Sequence, residues 1–385
     1  MSIYLDHNAT TRMDEAVLEA MLPYLREDFG NASSLYQAGR QARAAIDHAR
    51  EQVAALVGAH PAEVVFTGGG TEANNLAVKG LAGLAQPGRV LISAVEHPAI
   101  LEPARALPPP WAVTELDVDA NGCVQTAALE NALESGDVRL VACMLANNET
   151  GVIQDVARLA RLAQAAGARF HCDAVQAAGK IPVDYHALGV DTLSLSAHKL
   201  YGPKGVGALL RRKHLDLQPQ LHGGGHEQGL RGGTENTAAI VGFGQAAEMA
   251  GRALEERSAR LQALRDELQA GLMAMPGVRV FAADAERIPN TLQFTLPGYD
   301  GEGLLMALDR QGIAVSSGSA CAAGSGEPSH VLTAMGVDPV EAKGAVRVSL
   351  GKDNSQADVQ TLLQALQQLS GRAAMPSINP AVMGG

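Results

Sequence analysis

No run of 18 or more apolar residues occurs in the 385-residue chain, so no membrane-spanning helix is expected. The opening residues, M-S-I-Y-L-D-H, lack a basic stretch followed by an apolar one, and this predicts that the chain is not exported. Cysteine is sparse. Cys123, Cys143, Cys172 and Cys321 lie far apart and form no CxxC pair, which argues against a disulfide framework or a metal site of that kind. Free thiols in a reducing, cytoplasmic setting are expected instead. Basic residues are also short: 30 Lys and Arg against 41 Asp and Glu leave a net charge of −11, with no basic cluster to hold nucleic acid. There is no internal repeat. The remainder, 46% hydrophobic and 18% charged, is ordinary for a globular protein, and the length predicts two domains rather than one.

Strand-like apolar stretches alternate with helical ones over the first two thirds of the chain. Strands are predicted at 63–67, 90–93, 112–116, 140–145, 169–173 and 192–195, and an antiparallel edge strand at 207–210. Helices are predicted at 41–58, 70–81, 98–107, 129–134 and 155–166, and another near 15–25 that Pro23 should interrupt. Such alternation indicates an α/β fold with a mainly parallel sheet covered on both faces. A long charged helix at 238–275 bridges to short strands near 279 and 291–296. A helix at 301–311, strands at 313–316 and 347–350 and a helix at 356–368 complete a smaller α+β unit. The expected division is a large unit over 15–255 and a small one over 1–14 and 256–385. The N-terminal strand could join either and is assigned to the smaller, and the aperiodic tail at 376–385 is expected to be mobile.

Chemistry concentrates in L-S-L-S-A-H-K-L-Y-G-P-K-G-V-G at 193–207. An apolar run ends at Ser196, and Lys199 follows at the rim of a packed core. Partial desolvation there favours the neutral amine that attacks a carbonyl. Gly68–Thr71 ends a strand and opens a helix, so Gly70 and Thr71 can cradle an anion on free N–H groups. The motif is not G-x-x-x-x-G-K-S/T, which disfavours a nucleotide P-loop. Ser196, His198 and Thr234 offer further hydrogen bonds. Asp173, at a strand end, could hold a protonated ring nitrogen or cap the next helix. Gln176 is one turn on. His97 could stack on a flat ring or shuttle a proton, Asn148 could orient an oxygen, and Arg347 suits a carboxylate. Cys321, in S-S-G-S-A-C-A-A-G-S-G, sits among small residues where a reactive thiol fits better than a packed one. Each of the clusters around 68, 96, 147, 173 and 196 follows a predicted strand, where ligands of such sheets collect.

In order along the chain, the stretches Y-L-D-H-N-A-T-T (4–11), T-G-G-G-T-E-A-N-N (67–75), E-H-P-A-I (96–100), N-N-E-T-G (147–151), D-A-V-Q (173–176), S-A-H-K-L-Y-G-P-K-G (196–205), G-L-R-G-G-T-E-N (229–236), S-S-G-S-A-C (316–321) and R-V-S-L-G (347–351) resemble the cysteine desulfurases of the NifS/IscS-like branch. These are class V aminotransferase relatives with the fold-type I architecture of pyridoxal phosphate enzymes. The resemblance implies a large domain with a seven-stranded sheet, a smaller domain carrying the cysteine loop, and a homodimer. It implies that Lys199 holds the cofactor, Asp173 pairs with its ring nitrogen, Gln176 donates to its hydroxyl oxygen and His97 stacks on it. Gly70, Thr71, Asn148, Ser196 and His198 are then cofactor contacts, with Thr234 lent by the second subunit. Asn148, Arg347 and Asn31 would serve the substrate carboxylate, and Cys321 would take sulfur from L-cysteine for an acceptor protein in iron–sulfur cluster assembly or thiolation.

The chain departs from the family pattern at Ala32, at Tyr36 and at Gln228, where one positive charge is missing. Other readings of the same residues are a selenocysteine lyase, an aminotransferase acting on a small amino acid and a non-enzymatic scaffold. Cys321 counts against the aminotransferase, and the set Lys199, Asp173, His97 and Cys321 counts against the scaffold.

Overall fold

The computed structural model describes residues 3–317 and 327–373. The chain opens with β1 (Ile3–Tyr4) and then builds a seven-stranded sheet from β2 (Val64–Thr67), β3 (Arg89–Ser93), β4 (Ala112–Leu116), β5 (Val138–Ala142), β6 (Arg169–Asp173), β7 (Thr192–Ser196) and β8 (Gly207–Arg211). Its order is β2-β8-β7-β6-β5-β3-β4. Neighbours from β7 to β4 run parallel, and β8 is antiparallel to both β7 and β2. The antiparallel direction of β8 was expected, but not its place. It lies inside the sheet because β2 pairs on its far side, Val64 opposite Leu210 through Thr67 opposite Gly207. Residues 207–210 are buried throughout, as an inner strand requires.

Helices α1 (Glu15–Arg26), α2 (Gln37–Leu56), α3 (Gly70–Ala82), α4 (Pro98–Arg105), α5 (Thr126–Leu133), α6 (Val156–Ala165), α7 (Tyr185–Leu188) and α8 (Thr237–Arg252) accompany this sheet. Strand alternation divides the core between two faces. Phe66, Leu91, Val141 and Phe170 pack with Ile46 of α2 and Phe243 of α8. Val65, Ile92 and Leu140 pack with Leu76 of α3 and Ile100 of α4. Pro23 does not end α1. The buried Val17 and Met21 hold the helix against α8, and the Pro23 carbonyl accepts the N–H groups of Glu27 and Asp28 at its close.

The single helix expected at 238–275 is two, α8 and α9 (Leu254–Met273), which part at Ala253. Beyond them come β9 (Arg279–Val280), β10 (Thr291–Thr295), α10 (Gly301–Asp309), β11 (Ile313–Ala314), β12 (Ser316–Ser317), α11 (His330–Ala334), α12 (Pro339–Lys343), β13 (Ala345–Ser349) and α13 (Gln356–Ala373). A second sheet, β12-β13-β10-β9, covers a separate core of Leu264, Phe294, Leu304, Val346 and Leu366. β1 pairs parallel with β11, so the first residues travel with the end of the chain. Leu5 joins that second core. The short helices α7, α11 and α12 were not anticipated, having too few residues to show a period.

Gly207 ties fold to site. A Cβ there would fall 2.6 Å from the Gly69 carbonyl carbon and from the Leu195 carbonyl oxygen. Gly207→Ala should therefore destabilise the protein by about 1–3 kcal/mol through overpacking, measured by denaturant unfolding.

Candidate active site

The residues singled out after strands β2, β3, β5, β6 and β7 do converge. A cavity of about 290 Å³ at the carboxyl ends of these strands is lined by Gly70, Thr71, His97, Asn148, Asp173, Gln176, Ser196, His198, Lys199 and Arg347. Asn8 and Ala9 of the N-terminal loop close one wall.

Alternation along β6 and β7 explains why its floor is polar. Phe170, Cys172, Leu193 and Leu195 enter the core on one face. His171, Asp173, Thr192, Ser194 and Ser196 point to the other, with no aliphatic neighbour between them in sequence on that side. Asp173 is buried and accepts from Asn74 Nδ2 at 2.7 Å and from the Val175 N–H at 2.9 Å. The amide oxygen of Asn74 then meets His171 Nε2 at 3.0 Å, and His171 Nδ1 meets the Thr192 hydroxyl at 2.8 Å. Burial pushes His171 down to about 3, so its ring is neutral, donating from Nε2 to Asn74 and accepting from Thr192. Asp173 caps no helix. Asn74, His171 and Thr192 were missed by sequence reasoning, although the two-residue spacing of His171 and Asp173 is a usable signal.

Lys199 follows β7 in a single 3₁₀ turn, Ala197–Lys199. Its Nζ donates to the Asn8 carbonyl and, at 2.7 Å, to the Ala9 carbonyl. His97 is the N-cap of α4, where its Nδ1 accepts the Ala99 N–H at 3.0 Å. Burial, only partly offset by Asp173, holds the His97 pKa below its ordinary value, so the ring facing the cavity is neutral. Helix α3 begins at the same cavity: Gly69, at φ +147°, turns the chain, and Gly70 and Thr71 of its first turn line the wall. Ser196, His198 and Thr71 surround that helix start, with Lys204 beside it. Burial, then Lys199 and Lys204, push His198 down to about 4, and its Nδ1 lies 3.1 Å from the Thr10 hydroxyl.

Arg347, 1% exposed, extends from β13 with Nη1 donating to the Asn148 carbonyl at 2.9 Å and Nη2 paired with Asp6 at 2.7 Å. Among the described residues its buried Nε has no partner. Gln176 donates to the Asn8 carbonyl at 3.0 Å. Two predicted residues stand apart. Asn31 and Thr234 share an open cleft with Arg43 and Glu235, outside the Lys199 cavity. Cys321 and the tail at 376–385 lie outside the described residues.

A buried carboxylate, an amine and a helix start without a side-chain cap, all lining one cavity, fit a phosphorylated pyridine aldehyde. Residues 3–362 match the family described as aminotransferase class-V. The chain belongs to this class V aminotransferase family. Among its members, an IscS-like cysteine desulfurase of Mycobacterium tuberculosis is 45% identical over 388 residues, 98% of each chain. Of solved structures, a NifS-like protein superposes with a TM-score of 0.90 at 38% identity, covering 97% of this chain and 100% of that one. A structure of SspA in complex with cysteine gives 0.80 at 35% identity, covering 91% and 99%.

The departures from the family pattern fall away from the ring site. Gln228, at φ 60°, accepts from Arg211 at 2.6 Å and donates to the Ala62 carbonyl at 3.2 Å, so it ties the last residue of β8 to the turn that enters β2. Ala32 is buried, and Tyr36 is exposed at the N-cap of α2. Arg231 pairs with Glu72 at 3.0 Å, which neutralises that carboxylate near the α3 turn.

A buried acid under His97 gives the site a pH signature. Glu96 is fully buried and accepts from Ser93 at 2.7 Å and from the Met144 N–H at 2.6 Å, its other oxygen having no partner among the described residues. Burial pushes it from 4.5 up to about 8. The folded chain therefore binds more protons than the unfolded one across that interval, and this group makes stability fall as the pH rises through it. Glu96→Gln should flatten that decline, as read from thermal midpoints between about pH 5 and pH 8.

Proposed function

We propose that this chain is a pyridoxal phosphate-dependent cysteine desulfurase, which converts L-cysteine to L-alanine and leaves the sulfur as a persulfide on Cys321. The observation that carries this reading is the meeting of Lys199, Asp173 and the α3 start in one cavity, in a family member 45% identical to a protein named for that activity.

When bound, pyridoxal phosphate supplies a carbonyl that joins amines covalently and a ring that draws electrons from the neighbouring carbon. Asp173, held in place by two N–H donors, would hold the protonated ring nitrogen. Neutral His97 would cover the ring face, and Gln176 would donate to its hydroxyl oxygen. Gly70, Thr71, Ser196 and His198 would hold the phosphate. Lys199 would secure the carbonyl before substrate arrives and then carry the proton taken from the substrate's α-carbon. Arg347 and Asn148 would receive the substrate carboxylate.

Sulfur leaves by thiol chemistry. The Cys321 thiolate attacks the substrate sulfur, an S–S bond forms, and the Cβ–S bond breaks with its electron pair staying on carbon, which takes a proton to become the methyl of alanine. The described cysteines are unsuited to this step. Cys143 and Cys172 are buried, and burial raises both thiols well above the ordinary range. Cys123 is partly buried, which raises its thiol too.

The reading extends to a homodimer in the cytoplasm that passes sulfur to an acceptor protein for iron–sulfur cluster assembly or thiolation. Support for the dimer comes from Thr234, which lines a cleft apart from the Lys199 cavity, and from Phe29 and Leu35, which are 87% and 89% exposed near Asn31 in sequence. Asn31 shares the Thr234 cleft, so any part it takes at the carboxylate goes with the second chain. The seven-stranded sheet lies within 15–255 and the four-stranded sheet within 256–385, which supports a division into a large unit over 15–255 and a small one formed by 1–14 and 256–385.

Cys321→Ser should still change the cofactor's visible absorbance when L-cysteine is added, yet form no protein persulfide by mass spectrometry. Unchanged persulfide formation would contradict the assignment.

A further inference from the structure

A second lysine lies behind the first. Lys180 is buried, lines a void of about 20 Å³ together with Lys199, His7 and Asn290, and does not reach the main cavity. Among the described residues it forms no ion pair. Its Nζ donates instead to two amide oxygens, Gln176 Oε1 at 2.6 Å and Asn8 Oδ1 at 2.8 Å.

The first of these bonds helps to set how the Gln176 amide faces, while the Asn8 amide oxygen is held as well by Asn290 Nδ2 at 3.2 Å. With its oxygen held by Lys180, Gln176 turns its NH₂ the other way, where one N–H meets the Asn8 carbonyl at 3.0 Å and the second remains for the cavity that Gln176 lines. With its oxygen held, Asn8 sends Nδ2 to the Thr291 hydroxyl at 2.8 Å and to the Asn148 carbonyl at 3.1 Å. The same Asn8 carbonyl that takes Gln176 also takes Lys199 Nζ. Asn8 thus carries an amine on each of its two oxygens, and Gln176 is bonded to it at one end and to Lys180 at the other. Remove Lys180, and the Gln176 oxygen loses its donor, so that among these bonds only the one to the Asn8 carbonyl still turns the Gln176 NH₂ that way. A reversed amide would set a carbonyl oxygen against an oxygen of the cofactor.

We infer that Lys180 is a positioning residue that fixes Gln176, through its amide oxygen, as a hydrogen-bond donor to the bound cofactor. The inference rests on the reading of Gln176 as the donor to the cofactor's hydroxyl oxygen. It also accounts for which lysine reacts. Lys180 does not reach the main cavity, while Lys199 stands at its wall.

The test is a double-mutant cycle read as the dissociation constant of pyridoxal phosphate from the apoenzyme, titrated by absorbance. Lys180→Met and Gln176→Ala should each weaken binding about tenfold, the worth of one well-placed hydrogen bond to a charged oxygen. The double variant should be no weaker than Gln176→Ala alone, because the two changes remove one interaction. Lys180→Gln, which keeps an N–H donor for the Gln176 oxygen, should retain most of the affinity. If Lys180→Met does not fold, Lys180→Gln takes its place in the cycle: whatever loss it causes should vanish in the Gln176→Ala background, and a loss that persists there would overturn the role of Lys180. Losses that add in the Lys180→Met double variant, or wild-type affinity in Lys180→Met, would overturn it equally. Wild-type affinity in Gln176→Ala would overturn the reading of Gln176 and the inference with it.

Discussion

A carboxylate buried at the end of a strand is the constraint around which this site is arranged. Asp173 lies 6% exposed and has an amide and a backbone N–H as its hydrogen-bond donors. A carboxylate in such a place needs donors with fixed direction. Asn74 supplies one, and a neutral His171 fixes which end of Asn74 donates. The chain from Thr192 to His171 to Asn74 to Asp173 therefore joins two strands and a helix in one orientation. The ring-binding end of the cavity is set before any ligand arrives.

The N-terminal loop does the corresponding work at the other wall. Asn8 is fastened to Thr291 and the Asn148 carbonyl by its amide and to the Ser349 hydroxyl by its N–H. Its carbonyl faces Lys199. One short polar loop thus links the second core to the first and places the reactive amine between them. Thr11, which donates to the His198 carbonyl at 2.8 Å, extends the same contact along the turn that carries the lysine.

Much of this could be read from the residues. Alternating strand and helix periods located all seven strands of the large sheet, and strand ends located Gly70, His97, Asn148, Asp173 and Lys199, because local patterns report local structure. What escaped was set by distant partners. β8 looks like an edge strand until β2, from much earlier in the chain, is seen to pair along it, Val64 against Leu210. Asn74, Asp6 and Lys180 carry no motif of their own. Their meaning comes from His171, Arg347 and Gln176, which the fold brings to them.

The central claim is that Lys199 and no other amine secures the cofactor's carbonyl. Borohydride reduction of the enzyme loaded with pyridoxal phosphate, followed by peptide mapping by mass spectrometry, tests it most directly. The account predicts a phosphopyridoxyl group on Lys199. The same group found on Lys180, or on any other lysine with Lys199 unmodified, would contradict it.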